Sequence, residues 1–342
     1  MKKKLALLLV ATMSTMAFIG CTKPQQKEEA VEPSTEETEA EDVSDEVEAT
    51  APEYATTSVK YDTDSKFYTG SVECLQITDA NHANLQKAVD KEFSKIVESF
   101  NKTSADYVDE AKKYNEDMAS GEDETDGVEP ITYNYYYSTT AKVTRCDSKI
   151  FSVMLSTEVY TGGAHGSHYD EGIIFDSQTG KILSVADLGI TADSVHQYVD
   201  TLLEESPEEA TGGLFEDYQD TVDSSLSGDM SDVSLWLDDR GLVVEFSEYS
   251  LAAYAAGNIK FTVPYSKLTG FDSAYLPEND FYAISLSDLG LIEKIDANDD
   301  GTLENIYVTN TVDEDAMEVV YTLHLGDQEL AYNADSSMYY VS

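Results

Sequence analysis

Hydrophobic positions recur in three rhythms along this chain. An unbroken apolar run, Leu5 to Ala11, follows Lys2, Lys3 and Lys4 and fades toward Gly20. Thr12, Ser14 and Thr15 interrupt it well short of the roughly 20 residues a membrane span needs, so it reads as an export signal over residues 1–20. Helical spacing appears from Asn81 to Asn101, where Leu85, Ala88, Val89, Phe93, Ile96, Val97 and Phe100 share one face. A second helix is predicted over Ser104–Met118 and a third over Asp193–Glu205, with Val195, Tyr198, Leu202 and Leu203 on one side. Ser206-Pro207-Glu208-Glu209 carries the capping signals of a fourth.

Strand-like runs rich in Tyr, Val and Ile alternate with these helices. They are FYTGSVECLQI, ITYNYYYS, TAKVTRC, KIFSVMLSTEVY, EGIIFD, KILSV, VSLWLD and LVVEFS. Ser177-Gln178-Thr179-Gly180 and Asp239-Arg240-Gly241 are the turns of two expected hairpins. Strands and helices mixed in this irregular order predict an α+β fold. Two helix and antiparallel-sheet domains are expected, over 54–160 and 161–276, with a small β appendage over 279–342.

Charge changes the picture. The 342 residues carry 21 Lys+Arg and 67 Asp+Glu, a formal net charge of −46. Such a chain is a poor partner for nucleic acid or for an anionic membrane surface, and a good one for a basic protein or a divalent cation. Residues 21–53 are acidic and Pro-containing with no aromatic residue, so they read as a disordered tether. Phe18-Ile19-Gly20-Cys21 resembles a bacterial lipobox, with Phe18 in place of the usual Leu. The expectation is a lipid on Cys21 and a mature chain held outside the cytoplasmic membrane by that anchor alone.

Candidate chemistry is sparse. Gly162, Gly163 and Gly166 surround His165, with His168 and Tyr169 just beyond. A Gly-rich turn brings backbone close to a ligand or simply turns the chain. His165 and His168 form an HxxH pair, a weak zinc signal without Cys or a second motif. His82, His196 and His324 look isolated. No nucleophile elbow or Cys–His arrangement is present, so no catalytic residue is assigned. Asp296-Ala297-Asn298-Asp299-Asp300-Gly301-Thr302-Leu303-Glu304 places oxygen ligands at alternating positions around a sixth-position glycine. Calcium held by Asp296, Asn298, Asp300, Thr302 and Glu304 is the expectation, a plain Asx-Gly hairpin the alternative. Cys74 and Cys146 are either joined in a disulfide or two buried thiols.

The runs YTGGAHG (160–166), IIFDSQTGKILSVADL and LWLDDRGLVVEFSEYSLAAYAAGNIKFTVPYSKL (235–268) occur in this order. Together they resemble the paired extracellular domains of the RsiV family of lysozyme-sensing anti-sigma factors. The first of the pair is similar to the domain preceding the catalytic domain in PdaC-type peptidoglycan deacetylases. The resemblance implies an extracytoplasmic ligand-binding, sensor-like module that is not an enzyme, with a lysozyme-like protein or peptidoglycan as partner. Gly162, Gly163, His165, His168 and Tyr169 are its candidate ligand residues. Neither a sigma-binding segment nor a deacetylase domain is recognised, so neither activity is expected. The alternative is a subunit, accessory or catalytic, in peptidoglycan modification.

Overall fold

The computed structural model describes residues 49–120, 132–211, 213–278, 284–285, 289–295, 302–313, 318–333 and 340–341. Cys21, the tether up to residue 48 and the loop residues Asp296, Asn298 and Asp300 lie outside these. The fold is α+β, as the patterning predicts.

Five strands make the first sheet, in the order β1-β2-β3-β4-β5. They are β1 (Tyr54–Lys60), β2 (Tyr68–Ile77), β3 (Tyr135–Cys146), β4 (Ile150–Tyr160) and β5 (Ser167–Asp176). Between β2 and β3 runs α1 (Ala83–Ser120). The two helices expected here are one helix of 38 residues, because no Gly or Pro interrupts the junction at Lys102-Thr103. Its first half buries Leu85, Val89 and Phe93 against Leu75, Ile77, Phe151, Val153, Leu155 and Phe175. Its second half meets an aromatic layer in which Tyr68, Tyr107, Tyr114 and Tyr135 surround Ala111. Buried Ser104 reaches the Tyr68 hydroxyl at 2.6 Å.

Two features depart from the sequence reading. The YYYS end of the run ITYNYYYS and the run TAKVTRC belong to a single strand, β3. The pairing of β2 with β3 is parallel, because α1 carries the chain back to the same edge, so the sheet is mixed and not purely antiparallel. β1 escaped notice because nearly every residue in it is exposed, leaving no alternation to detect.

The second layer contains α2 (Ala192–Glu205), α3 (Glu208–Thr211), α4 (Tyr218–Ser225) and the antiparallel sheet β6 (Ser234–Leu237), β7 (Gly241–Phe246), β8 (Ile259–Pro264). Its core joins Val195, Val199 and Leu202 of α2 to Leu242, Val244, Phe261 and Val263. β7 is buried at every position, which explains why it reads as a continuous apolar run. The first sheet extends to Asp176, past residue 160, and β5 lies so close to β6 that a Cβ on Gly172 would fall 1.9 Å from the Leu235 carbonyl oxygen. Arg145 locks the layers together. Fully buried, it donates to Asp147, to the Tyr265 hydroxyl at 2.9 Å and to the Tyr275 carbonyl at 2.7 Å.

The C-terminal region holds β9 (Ile284–Ser285), β10 (Glu293–Ile295), β11 (Glu304–Asp313), β12 (Glu318–Leu325), β13 (Gln328–Asn333) and β14 (Tyr340–Val341). β10 to β13 form an antiparallel sheet in chain order, and β9 pairs with β14. A turn at Gly326, with φ +56°, joins β12 to β13.

Cys74 and Cys146 are free thiols. Cys74 lies in mid-β2, whereas the Cys146 Sγ sits 3.4 Å from the Pro52 carbonyl, beside the far end of that strand. Several residues of strand at about 3.3 Å each separate them, beyond the roughly 7 Å a disulfide bridges. Burial pushes the two thiols up to about 11 and about 12, which makes them poor nucleophiles.

Candidate ligand-binding surface

The loop between β4 and β5 carries the predicted GGAHG run. Gly162 and Gly163 have φ of +89° and +95°, which glycine adopts without strain. Gly166 is required by space: a Cβ there would lie 2.7 Å from the Val159 carbonyl oxygen. The turn is thus built to project His165.

Tyrosines from distant parts of the chain gather around it. The His165 ring stacks on Tyr254 at 4.0 Å and 27°, and Tyr249 lies 6.3 Å away. The Tyr254 hydroxyl donates to the Gly166 carbonyl at 3.1 Å, and His165 Nδ1 sits 2.8 Å from the same oxygen. Tyr136 and Tyr160 stack at 5.9 Å and 25°, and the Tyr160 hydroxyl donates to the Gly163 carbonyl at 3.0 Å. Tyr249 is 56% exposed and holds φ +65°, a conformation that a bulky residue adopts at a cost. Partial desolvation, and then the Glu248 carboxylate, raise the Tyr254 phenol above its usual range. The result is a patch of one imidazole and four phenols, with Glu158 and Glu248 close by.

Beneath the loop lies a buried polar cluster. Asp170 of β5 and Glu245 of β7 both face Lys260 of β8, whose Nζ is 3.6 Å from one carboxylate and 3.2 Å from the other. The Asn258 amide donates to Glu245 Oε1 at 2.8 Å and approaches His168 Nδ1 at 3.3 Å. Nε2 of the same imidazole lies 2.8 Å from Ser156 Oγ and 3.0 Å from Asp170 Oδ1. Burial raises the Glu245 carboxyl to about 8, with Asp170 adding to the rise and Lys260 opposing it. Glu248 connects cluster to loop: its Oε2 accepts from the His168 backbone at 3.4 Å, and its own N–H donates to Asn258 Oδ1.

The five predicted ligand residues therefore separate. Gly162, Gly163 and His165 shape the exposed patch. His168 turns inward to the carboxylates, away from His165, so the HxxH pair does not converge. Tyr169 points to the opposite face of β5, where it interacts with Tyr137 and Thr157 and where burial raises its phenol strongly. Tyr136 stands in the tyrosine cluster at 133–137, one face of which the sequence offers as a contact surface for sugar or protein; Tyr160, Tyr249 and Tyr254 carry no signal of their own beyond the tyrosines of EYSLAAY and the loop flank. The histidines that look isolated all have partners: His82 with Asp79 at 2.7 Å, His324 stacked on Tyr307 at 4.4 Å, and His196 between Asp200 and Asp223. Of the predicted calcium ligands, only Thr302 and Glu304 are described; Thr302 is exposed, and Glu304 opens β11 with its side chain against Gly326.

No helix among the described residues is long and apolar enough to cross a membrane. Residues 61–168 match the family model for the deacetylase PdaC, and residues 214–266 match that for a protein of unknown function, DUF3298. Similar solved structures include a DUF3298 family member from Bacteroides fragilis, at 17% identity, covering 66% of this chain and 96% of that one with a TM-score of 0.48. Another is a DUF3298 family protein from Pseudomonas aeruginosa, at 16% identity, 66% and 96% coverage and a TM-score of 0.43. No curated protein matches the chain. The chain thus carries a PdaC-type segment followed by a DUF3298-type segment, the paired domains that its motifs resemble.

Proposed function

We propose that this chain is a cell-surface lipoprotein whose extracytoplasmic module binds a ligand through the aromatic patch around His165 without transforming it. The observation that carries this reading is the convergence of Tyr136, Tyr160, Tyr249 and Tyr254 on a glycine loop that projects an imidazole. Tyrosines supply large, rigid contact area with a polar tip, the chemistry of interface anchors and of sugar-stacking platforms. Glu158 and Glu248 near the patch, in a chain of net charge −46, favour a basic protein of the lysozyme kind over a neutral cell-wall glycan. Cys21 supplies the anchor, residues 21–53 the reach, and calcium at Asp296–Glu304 braces the appendage.

Binding of lysozyme and of purified peptidoglycan by the full chain tests the reading. Lysozyme should still bind at about 0.5 M salt, where the Debye length is only about 4–5 Å, with a slower on-rate. Tyr249→Ala and Tyr254→Ala should each weaken it at least tenfold, while Tyr169→Ala on the other face of β5 leaves it unchanged. Peptidoglycan incubated with the chain should show no new product. Loss of all binding at that salt, or equal binding of cytochrome c, would reduce the interaction to unspecific charge attraction and sink the proposal.

A further inference from the structure

Two helices outside the aromatic patch each present a polar pair at i, i+4 spacing. On α2 the pair is His196 and Asp200; on α4 it is Gln219 and Asp223. The pairs face one another. His196 Nε2 lies 2.9 Å from Asp223 Oδ1 and 3.3 Å from Asp200 Oδ2. The Gln219 amide spans both carboxylates, donating to Asp200 Oδ1 at 2.7 Å and to Asp223 Oδ1 at 3.2 Å. Among the described residues this is the one group of three His or carboxylate ligands whose donor atoms all lie within 4.8 Å of one another.

The surrounding sequence is short of positive charge. Residues 182–239 contain fifteen Asp and Glu and no Lys or Arg. Among the described ion pairs, Lys294 goes to Glu205 and Lys181 to Asp187. Two carboxylates have been brought together across a helix pair with an uncharged amide and an imidazole between them. A dication would offset their repulsion.

We propose that His196, Asp200, Asp223 and Gln219 form a binding site for a transition-metal dication of the Zn2+ kind. An imidazole with two carboxylates suits zinc, whereas calcium and magnesium select oxygen ligands alone. Metal–ligand bonds of about 2.0–2.2 Å in a tetrahedron set ligand atoms about 3.4 Å apart. The present 2.9 and 3.3 Å need to open by only a few tenths of an ångström. Rotating the Gln219 amide turns its oxygen inward as a fourth ligand. The two carboxylates neutralise the ion. The bound metal ties α2 to α4 and so pins the 206–217 segment between them. This site is independent of the aromatic patch.

Titration of the purified full chain with ZnCl2, followed by calorimetry, tests the proposal. Co2+ as a spectroscopic substitute reports the coordination through its visible bands. The wild type should bind Zn2+ saturably at this site and melt at a higher temperature with the metal. His196→Ala and Asp223→Asn should each weaken that binding at least tenfold and change the Co2+ spectrum. Their metal-free circular dichroism should match the wild type, since Asp223 is exposed and His196 only partly buried. Asp229→Asn, a change in the same acidic stretch but outside the cluster, should leave binding intact. If either ligand variant fails to fold, Gln219→Ala replaces it, with a smaller loss expected. Calcium at Asp296–Glu304 would bind whether or not His196 is present, which separates the two sites. The proposal falls if the wild type does not bind Zn2+ saturably, if His196→Ala binds it as tightly, or if a tenfold excess of Mg2+ displaces it.

Discussion

Glu245 is a buried carboxyl whose protonation the fold strongly shifts. Its carboxyl titrates near 8 in the folded chain, against an ordinary value of 4.5, because burial outweighs the pull of Lys260. The folded state therefore holds a proton that the unfolded state has released between about pH 4.5 and 8. Stability falls as pH rises through that window, since the proton must be given up or the charge buried. The melting temperature should accordingly be lower at pH 8.5 than at pH 6. Glu245→Gln imitates the protonated form and keeps an acceptor for Asn258. At pH 8.5 it should stabilise the fold by on the order of 1–2 kcal/mol and flatten the pH profile. A Glu245→Gln variant whose thermal melts keep the wild-type slope across pH 5–9 would overturn this assignment.

At the scale of elements, α1 is the decisive one. Its apolar face continues across Lys102-Thr103 because Phe100 on one side, and Ser104 and Ala111 on the other, are all buried under the same sheet. A proline in the middle of a continuous helix removes a hydrogen bond and clashes with the preceding turn. Thr103→Pro should therefore cost about 3 kcal/mol or more, measured by urea unfolding. Two separate helices would tolerate the same change at their junction. The periodicity within each half was legible because amphipathic spacing is local. The join was not, because polar Asn101-Lys102-Thr103 looks like a connection until the sheet beneath shows that Ser104 belongs inside, bonded to Tyr68. In β7 the reverse applies: burial of every position makes strand and buried helix look alike, and the turn at Asp239-Arg240-Gly241 decided the reading.

For the whole molecule, charge and address matter more than any one contact. The proposed anchor predicts that a fatty-acid analogue fed to cells will label the wild type and not Cys21→Ala. Equal labelling of both would remove the lipid from the account and leave an exported chain. Under the proposed function, the acidic residues of the chain would draw basic proteins from a distance but not choose among them, because coulombic attraction reads only charge. Choice would belong to desolvated contacts, which the proposal places on the patch around His165.

The sequence by itself determined whatever is set by neighbours along the chain. The apolar run behind three lysines, the acidic composition that follows it, the helical face of Leu85 to Phe100, the turns at Gly180 and Gly241 and the α+β class all follow from spacing within a dozen residues. The glycine loop around His165 was visible for the same reason. Only the tertiary structure decided what depends on register and on contacts between remote segments. It set β2 parallel to β3 and kept Cys74 and Cys146 apart on one sheet. It turned His168 inward and Tyr169 to the far face, since alternate residues of a strand point to opposite sides. It also gathered Tyr136, Tyr160, Tyr249 and Tyr254 around His165, and His196 between two aspartates. None of these pairings has a sequence signature, because each joins residues whose proximity comes from packing two layers on a shared core and not from their separation along the chain.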